Sequence, residues 1–141
     1  YCNNNKLKSL EGCPEIIEGN FYCDHNQLKT LKNGPKIIKA GYYCNNNQLK
    51  TLEGCPEIIN NDFYCNENQL IIEGLKYLPE KTDNCFIDIS NNEKLGDLQN
   101  IKNLNELKEK VNIYFEKEKL QKIINKKNVK SNKNKANINK I

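Results

Sequence analysis

Three residue types are missing from this 141-residue chain: arginine, methionine and tryptophan. All 22 basic residues are therefore lysine, which excludes the bidentate guanidinium contacts that many proteins use to read nucleic-acid bases. No apolar run approaches the roughly 20 residues that span a bilayer, so we expect no membrane segment. No Cys–His pair, carboxylate dyad or glycine-rich phosphate loop is evident, so we predict neither enzymatic activity nor a cofactor.

The chain is instead rich in Lys, Asn and Ile, residues that AT-rich codons encode, so genome bias accounts for part of this composition. Residues 1–100 carry a net charge of −4 and residues 101–141 a net charge of +8. Residues 128–141 are mostly Lys and Asn, which predicts a disordered tail. Its lysines could contact phosphates weakly, but a solvated tail is the preferred interpretation and nucleic acid is not the expected partner.

A 21-residue repeat occupies the first part of the chain. The units that begin at Tyr1, Tyr22 and Tyr43 share the pattern YC-x-x-N-x-LK-x-L, and a fourth begins at Tyr64 and then departs. A fixed period is the strongest evidence about fold that a sequence can carry, because each unit forms one element that stacks on the next. The sequence begins inside a unit, so we expect further repeats to precede Tyr1.

Each unit alternates briefly between apolar and polar residues and then turns. Where the first unit meets the second, Phe21 and Cys23 are two residues apart, so they share one face of a short strand. Leu28 continues the apolar lining, Gly34–Pro35 marks a break, and Ile37–Ile38 returns along the back. One such coil cannot bury its lining alone, so the repeat predicts a stacked solenoid with a parallel sheet.

This pattern resembles the leucine-rich repeat, L-x-x-L-x-L-x-x-N-x-L. The matching segments are Phe21-x-Cys23-x-x-Asn26-x-Leu28, Tyr42-x-Cys44-x-x-Asn47-x-Leu49 and Phe63-x-Cys65-x-x-Asn68-x-Leu70. The resemblance covers residues 1–98, and the form with Cys in the strand is similar to short repeats of bacterial, phage and giant-virus proteins. It implies a curved leucine-rich-repeat solenoid with a parallel β-sheet on its concave face, which binds other macromolecules.

An asparagine recurs where each strand is predicted to end. A buried Asn side chain can satisfy backbone groups of the turn in its own coil and in the next one. This predicted structural ladder is Asn5, Asn26, Asn47, Asn68 and Asn92.

A cysteine recurs once per unit within the strand. This row is Cys2, Cys23, Cys44 and Cys65. Neighbours one strand spacing apart, ~4.8 Å, form a line and not a tetrahedron, which disfavours a metal site, and buried parallel strands seldom have the geometry of a disulfide. Buried free thiols are therefore the preferred interpretation. Reduced thiols favour the cytoplasm, or the host cytoplasm if the protein is viral or an effector. Cys85 lies outside the register and has no predicted role.

The outward side of the strands is the predicted partner-binding surface. Its residues are Tyr22, Asp24, His25, Tyr43, Asn45, Asn46, Tyr64, Asn66, Glu67 and Asp88. Tyrosine gives recognition surfaces contact area at a low entropy cost. The alternative is that the tyrosines only stabilise the sheet by cross-strand stacking. The single histidine, His25, has no partner nucleophile and is interpreted as a surface variant.

Three repeat positions alternate in charge between neighbouring units. They are Glu11/Lys32/Glu53, Glu15/Lys36/Glu57 and Glu18/Lys39/Asn60. A uniform repeat would place like charges opposite one another, which is unfavourable. We expect these pairs to set the register more than they add stability.

The segment 99–127 has a different character, because it lacks Gly, Pro and Cys. Its apolar residues recur at helical spacing: Leu104, Leu107, Val111, Tyr114, Phe115, Leu120, Ile123 and Ile124. Asn103 and Glu106 have the spacing of a capping box. The pattern predicts a helix over residues 103–127 that caps the open end of the stack, with a partner-binding helix as the alternative.

The leading functional hypothesis is a non-enzymatic module that binds a protein partner through the concave sheet. One alternative is the recognition domain of a larger effector enzyme whose catalytic part lies outside this chain. The other is weak nucleic-acid binding through the lysine-rich tail.

Overall fold

Short parallel strands and one long helix make up the structure. In the computed structural model of the chain, the described residues are 1–80 and 85–138. The strands are β1 (Ile16–Ile17), β2 (Phe21–Tyr22), β3 (Ile37–Ile38), β4 (Tyr42–Tyr43), β5 (Ile58–Ile59), β6 (Phe63–Tyr64) and β7 (Ile87–Asp88). Two 3-10 segments, Ile72–Tyr77 and Glu93–Asn100, precede the helix α1, Leu104–Ile138.

Two separate parallel sheets arise from the repeat. One sheet has the strand order β2-β4-β6-β7 and the other has the order β1-β3-β5. Each of the first three units therefore contributes one strand to each sheet. Phe21 pairs with Tyr42, and Tyr42 with Phe63, each one repeat length away. Phe63 then pairs with Ile87, so the longer fourth unit still returns to the same register. The predicted parallel strands and C-terminal helix are therefore confirmed, whereas the sheet of Ile pairs was not predicted.

The core lies between the two sheets and is lined by the same repeat positions in each unit. Tyr42 and Phe63 are fully buried, and their rings stack with centroids 5.4 Å apart and an interplanar angle of 4°. The leucines that line the turn are also inaccessible to solvent: Leu28, Leu31, Leu49, Leu52 and Leu70. Burying one Leu or Phe side chain contributes about 1.5–3 kcal/mol, so neighbouring units stabilise one another mainly through this lining.

The asparagine row joins each unit to the one before it. The Nδ2 of Asn26 donates to the carbonyl oxygens of Cys2 and Cys23, at 2.9 and 3.0 Å, and its Oδ1 accepts the Leu7 N–H at 3.0 Å. The same pattern recurs at Asn47, Asn68 and Asn92. The sequence predicts that each Asn bonds its own turn and the turn of the following unit. In the structure, the hydrogen bonds that leave its own unit reach the preceding unit. The reason is that each ladder Asn lies beside the carbonyls at the end of the previous strand.

The alternating charges form ion pairs between neighbouring units. Lys36 lies 2.9 Å from Glu15, Lys39 lies 2.9 Å from Glu18, and Lys32 lies 3.0 Å from Glu53. All three pairs involve a lysine of the second complete unit, as the sequence pattern indicates.

The beginning of α1 closes the last unit of the stack. Leu104, Leu107 and Val111 are buried in the core, and Lys108 donates to the carbonyl oxygens of Pro79 and Glu80 at 2.9 Å. The Oδ1 of Asn103 accepts the Glu106 N–H at 3.0 Å, so Asn103 caps the helix as predicted.

The rest of α1 differs from the prediction. The later apolar residues do not pack on the core, since Leu120 is 57%, Ile123 43% and Ile124 49% exposed. The helix also continues to Ile138, whereas composition predicted disorder from residue 128. Residues 128–138 contain no Gly or Pro to end a helix, and lysine has a good helix propensity. Residues 139–141 of the predicted tail lie outside the described residues.

Cys85 belongs to the core, although the sequence suggested no role for it. Its thiol donates to the carbonyl oxygen of Asn61 at 2.7 Å, and its own carbonyl oxygen accepts the Leu104 N–H at 3.1 Å. Cys85, which lies just before β7, therefore connects the segment before β6 with the start of α1.

Candidate functional site

A row of four tyrosines runs along the accessible face of the β2-β4-β6-β7 sheet. This tyrosine ladder consists of Tyr1, Tyr22, Tyr43 and Tyr64. The centroids of successive rings are 4.8, 4.5 and 4.9 Å apart, and successive ring planes are within 10° of parallel. In β2, β4 and β6 the preceding residue is buried, so the tyrosine that follows points to the opposite face of the strand and is half-buried.

Stacking decides which part of each ring is available to a partner. Each inner ring covers the faces of its neighbours, so the ladder presents ring edges and hydroxyl groups and not π-faces. The Tyr22 hydroxyl accepts a hydrogen bond from Nδ2 of Asn20 at 3.0 Å. Phe86 closes the far end of the row, with its ring 5.6 Å from Tyr64 and tilted by 50°.

The hydroxyls of Tyr43 and Tyr64 stay protonated at neutral pH, because the pKa of each is raised. Burial, then the neighbouring Tyr22 and Tyr64, raise the pKa of Tyr43, and burial with Asp62 and Asp88 raises that of Tyr64. The ladder is therefore a neutral surface with both hydrogen-bond donors and acceptors.

Asp24 is the most buried polar residue next to the ladder after the structural asparagines. Its residue is 9% exposed, and its Oδ2 lies 2.8 Å from Nδ1 of His25. Its other oxygen, Oδ1, is buried and has no hydrogen-bond partner in the part of the chain that the structure describes. Neighbouring units have an asparagine at this position, so Asp24 is a charged exception within a neutral row.

The position after Asp24 has a left-handed backbone in every unit. Its φ values are between 53° and 55° at Asn4, His25, Asn46, Glu67 and Asn91. Asparagine tolerates this conformation better than most residues, which gives a structural reason for Asn46 and its equivalents. Histidine is also enriched in this conformation, whereas glutamate is less suited to it, so the turn alone does not explain Glu67.

Asp88 continues the tyrosine row and is neutralised by its neighbours. Burial tends to raise its pKa, but hydrogen bonds from Lys102 and Ser90 outweigh this, and the pKa of Asp88 is lowered. Its carboxylate is therefore already occupied, and Asp88 contributes less to a free surface than the sequence suggested.

The predicted surface residues are not equivalent, because Tyr22, Tyr43, Tyr64 and Asp88 lie in one row whereas Asp24 is buried. Register places Tyr22 beside Tyr43, Tyr43 beside Tyr64, and Tyr64 beside Asp88. Asn45 and Asn66 are half-buried beside this row, and His25 and Glu67 are exposed. Sequence reasoning missed Phe86, Asn20 and Lys102. Asn20 and Phe86 directly precede the strands β2 and β7. Their position immediately before a repeat strand is the sequence feature that would have identified them.

Three members of the cysteine row are buried, and the first, Cys2, is half-buried. All seven cysteines are free thiols, and Cys23, Cys44 and Cys65 are inaccessible to solvent. Burial is the main cause that raises the pKa of each of these three thiols, and it raises the pKa of Cys85 to about 11. Among residues 1–80 and 85–138, no group of three or more His, Cys, Asp or Glu side chains is placed to hold a metal ion.

Comparison with known proteins returns no match: no family model, no curated protein and no solved structure matches this chain significantly. Within the described part of the chain, no helix combines the length and apolar character that crossing a membrane requires.

Proposed function

We propose that this chain is a leucine-rich-repeat-like solenoid that binds a protein partner through the tyrosine ladder and the residues beside it, and that it acts as a binding module and not as an enzyme. The repeat pattern, the two parallel sheets and the Asn row support the solenoid. The binding role is supported by the position of the ladder on the accessible face of the larger sheet.

One observation carries the binding proposal: the buried Oδ1 of Asp24, which has no hydrogen-bond partner among the described residues, beside a row of half-buried tyrosines. Leaving a buried polar atom unpaired costs about 1–3 kcal/mol, and more when the group is charged. Because Oδ1 is inaccessible to solvent, the Asp24 carboxylate must rotate before a partner N–H can donate to this oxygen and recover part of this cost. The ring edges and hydroxyls of Tyr22, Tyr43 and Tyr64 would supply the contact area.

The partner expected for this face is therefore a protein segment with a free N–H group, from its backbone or from a basic side chain, and with carbonyl acceptors for the tyrosine hydroxyls. A chain of bare anions does not fit, because Asp24 and Glu67 make this face mildly acidic.

The test is affinity capture from an extract of the source cells with three forms of the immobilised chain. A Tyr22/Tyr43/Tyr64→Ala triple variant removes the rings, and the Tyr→Phe triple variant keeps the stack but removes the hydroxyls. A Tyr77→Phe/Tyr114→Phe double variant, which lies outside the ladder, is the control. We expect proteins that wild type and control retain to be lost with the Ala variant and weakened with the Phe variant.

Circular dichroism and melting curves establish which variants remain folded. The Phe variant keeps the ring stacking, so it reports on binding even if the Ala variant unfolds. Unchanged capture by a folded Ala variant, or by the Phe variant when the Ala variant is unfolded, would count against the ladder as the binding surface.

A further inference from the structure

A second row of side chains runs along the stack on the segment that follows the Asn ladder. In the second and third units a glutamine is followed two residues later by a lysine, and the rows along the stack are Lys8, Lys29 and Lys50 beside Gln27, Gln48 and Gln69. Two clefts lie between them. One of about 350 Å³ is lined by Lys8, Gln27, Lys29 and Gln48, and one of about 290 Å³ by Lys29, Gln48, Lys50 and Gln69. The clefts share Lys29 and Gln48, so they form one continuous lysine–glutamine groove.

The glutamine N–H groups of the groove are already paired, so the glutamines offer a ligand their side-chain amides. The N–H groups of Gln27, Gln48 and Gln69 donate to carbonyl oxygens of the preceding units at 2.8–2.9 Å. The three lysines of the groove are exposed. The groove therefore offers ammonium donors together with amide groups that both donate and accept.

The charge of the groove contrasts with the rest of the repeat surface. At three other repeat positions the second unit has a lysine where the first unit has a glutamate. These lysines, Lys32, Lys36 and Lys39, form ion pairs with neighbouring units. The groove position keeps lysine in three successive units, although like charges in register are unfavourable. Lys29 and Lys50 form no ion pair with any residue in the described ranges. This leaves a positive stripe without an internal counter-charge.

We propose that the lysine–glutamine groove is a second binding surface, separate from the tyrosine ladder, and that it takes an extended acidic peptide segment. The lysines pair with its carboxylates. The glutamine amides match peptide groups, because a peptide backbone presents both N–H donors and carbonyl acceptors.

The lining favours a peptide over single-stranded nucleic acid. A nucleic-acid groove usually combines positive charge with aromatic side chains on which bases stack. Neither cleft has an aromatic residue in its lining, and a phosphate backbone offers acceptors only, which leaves the glutamine carbonyl oxygens unmatched.

The test measures binding of a short fluorescein-labelled peptide of alternating Glu and Thr by anisotropy, with labelled oligothymidylate as a second probe. A Lys29→Gln/Lys50→Gln variant removes charge from the groove. The control, Lys119→Gln/Lys126→Gln, removes the same charge from the exposed part of α1. We expect the groove variant to weaken peptide binding by about tenfold, the scale of losing two exposed ion pairs, and the control to change it little.

Side-chain NMR signals locate the contact independently of affinity. The amide NH₂ signals of Gln27, Gln48 and Gln69 should shift on peptide addition. Equal weakening by both variants, or wild-type affinity of the groove variant, would overturn the proposal. Tighter binding of oligothymidylate with the same dependence on Lys29 and Lys50 would assign the groove to phosphate and overturn the peptide.

Discussion

The Oδ1 of Asn47 accepts a hydrogen bond from the backbone N–H of Leu28, 2.9 Å away in the preceding unit. The Nδ2 of the same side chain donates to the carbonyl oxygens of Cys23 and Cys44, both at 3.1 Å. One buried amide therefore satisfies backbone groups of two units at once. This arrangement makes the Asn row a sensitive place to test what holds neighbouring units together.

An Asn47→Asp variant should be strongly destabilised at neutral pH. Aspartate keeps the shape but cannot donate, so it leaves two buried carbonyl oxygens facing a negative charge. We expect a loss on the order of 3 kcal/mol, from about 1–3 kcal/mol for each unpaired group. Urea denaturation measures it, and Asn45→Asp on the accessible face is the matched control.

The Asn47→Asp variant should also regain stability as the pH falls. Burial raises the pKa of the new carboxyl in the folded state above its unfolded value, so protonation favours folding. Its contribution is therefore lost as the pH rises through the folded pKa and is present below the unfolded pKa. A loss of stability that does not change between pH 7 and pH 4, relative to wild type, would contradict this account.

Reversing the charge of Lys36 should lower the melting temperature in low salt. The Lys36→Glu variant loses the pair with Glu15 and places a third like charge between Glu15 and Glu57. Exposed charges are screened when the Debye length falls to about 3 Å at 1 M salt, so the difference from wild type should shrink there. The control is Lys119→Glu, which makes the same charge change on α1. A difference in melting temperature between Lys36→Glu and wild type that does not depend on salt concentration would refute the ion-pair hypothesis.

Removing Lys102 should raise the pKa of Asp88 toward its ordinary value. Burial opposes ionisation of Asp88, and the Lys102 hydrogen bond is the largest of the influences that lower its pKa. A lowered folded pKa gives stability that is present above the unfolded pKa and lost as the pH falls through the folded one. We therefore expect Lys102→Ala to reduce the loss of stability on acidification. Carbon-detected NMR titration of Asp88 measures the pKa directly, and an unchanged value would disprove the role of Lys102.

Shortening Leu107 and Leu120 should have very different effects. Leu107 is fully buried, so Leu107→Ala should cost about 2–5 kcal/mol of unfolding free energy. Leu120 is 57% exposed, and Leu120→Ala should change stability by no more than about 0.5 kcal/mol. Thermal or urea denaturation of both variants compares them. Similar losses at the two positions would indicate that the later part of α1 also covers the core.

The strand part of the fold follows from the repeat. Phe21 and Cys23 share one face of a short strand, and the period of 21 residues places their equivalents at the same position in the next unit, so the sequence predicts the parallel register. The sequence does not determine whether each Asn bonds to the preceding or to the following unit, because either arrangement would satisfy the same kinds of backbone donors and acceptors. The structure decides this through Asn26 and Leu7.

The candidate site was only partly predictable. The tyrosine positions followed from strand alternation. The sequence suggested that Asp88 is a free carboxylate, but Lys102, which follows it by 14 residues, donates a hydrogen bond to it. Likewise, the apolar spacing of Leu120 and Ile123 predicts a helix correctly without showing which turns of that helix meet the core.

The amino-acid sequence alone determined the repeat length, the buried positions, the parallel pairing and the charge alternation, because each depends on a pattern that recurs at fixed spacing. The tertiary structure decided the ring stacking of Tyr22 on Tyr43, the unpaired oxygen of Asp24, the lysine–glutamine groove and the extent to which α1 packs. These depend on distances between residues of different units, and a one-dimensional pattern states which residues recur but not how closely their atoms approach.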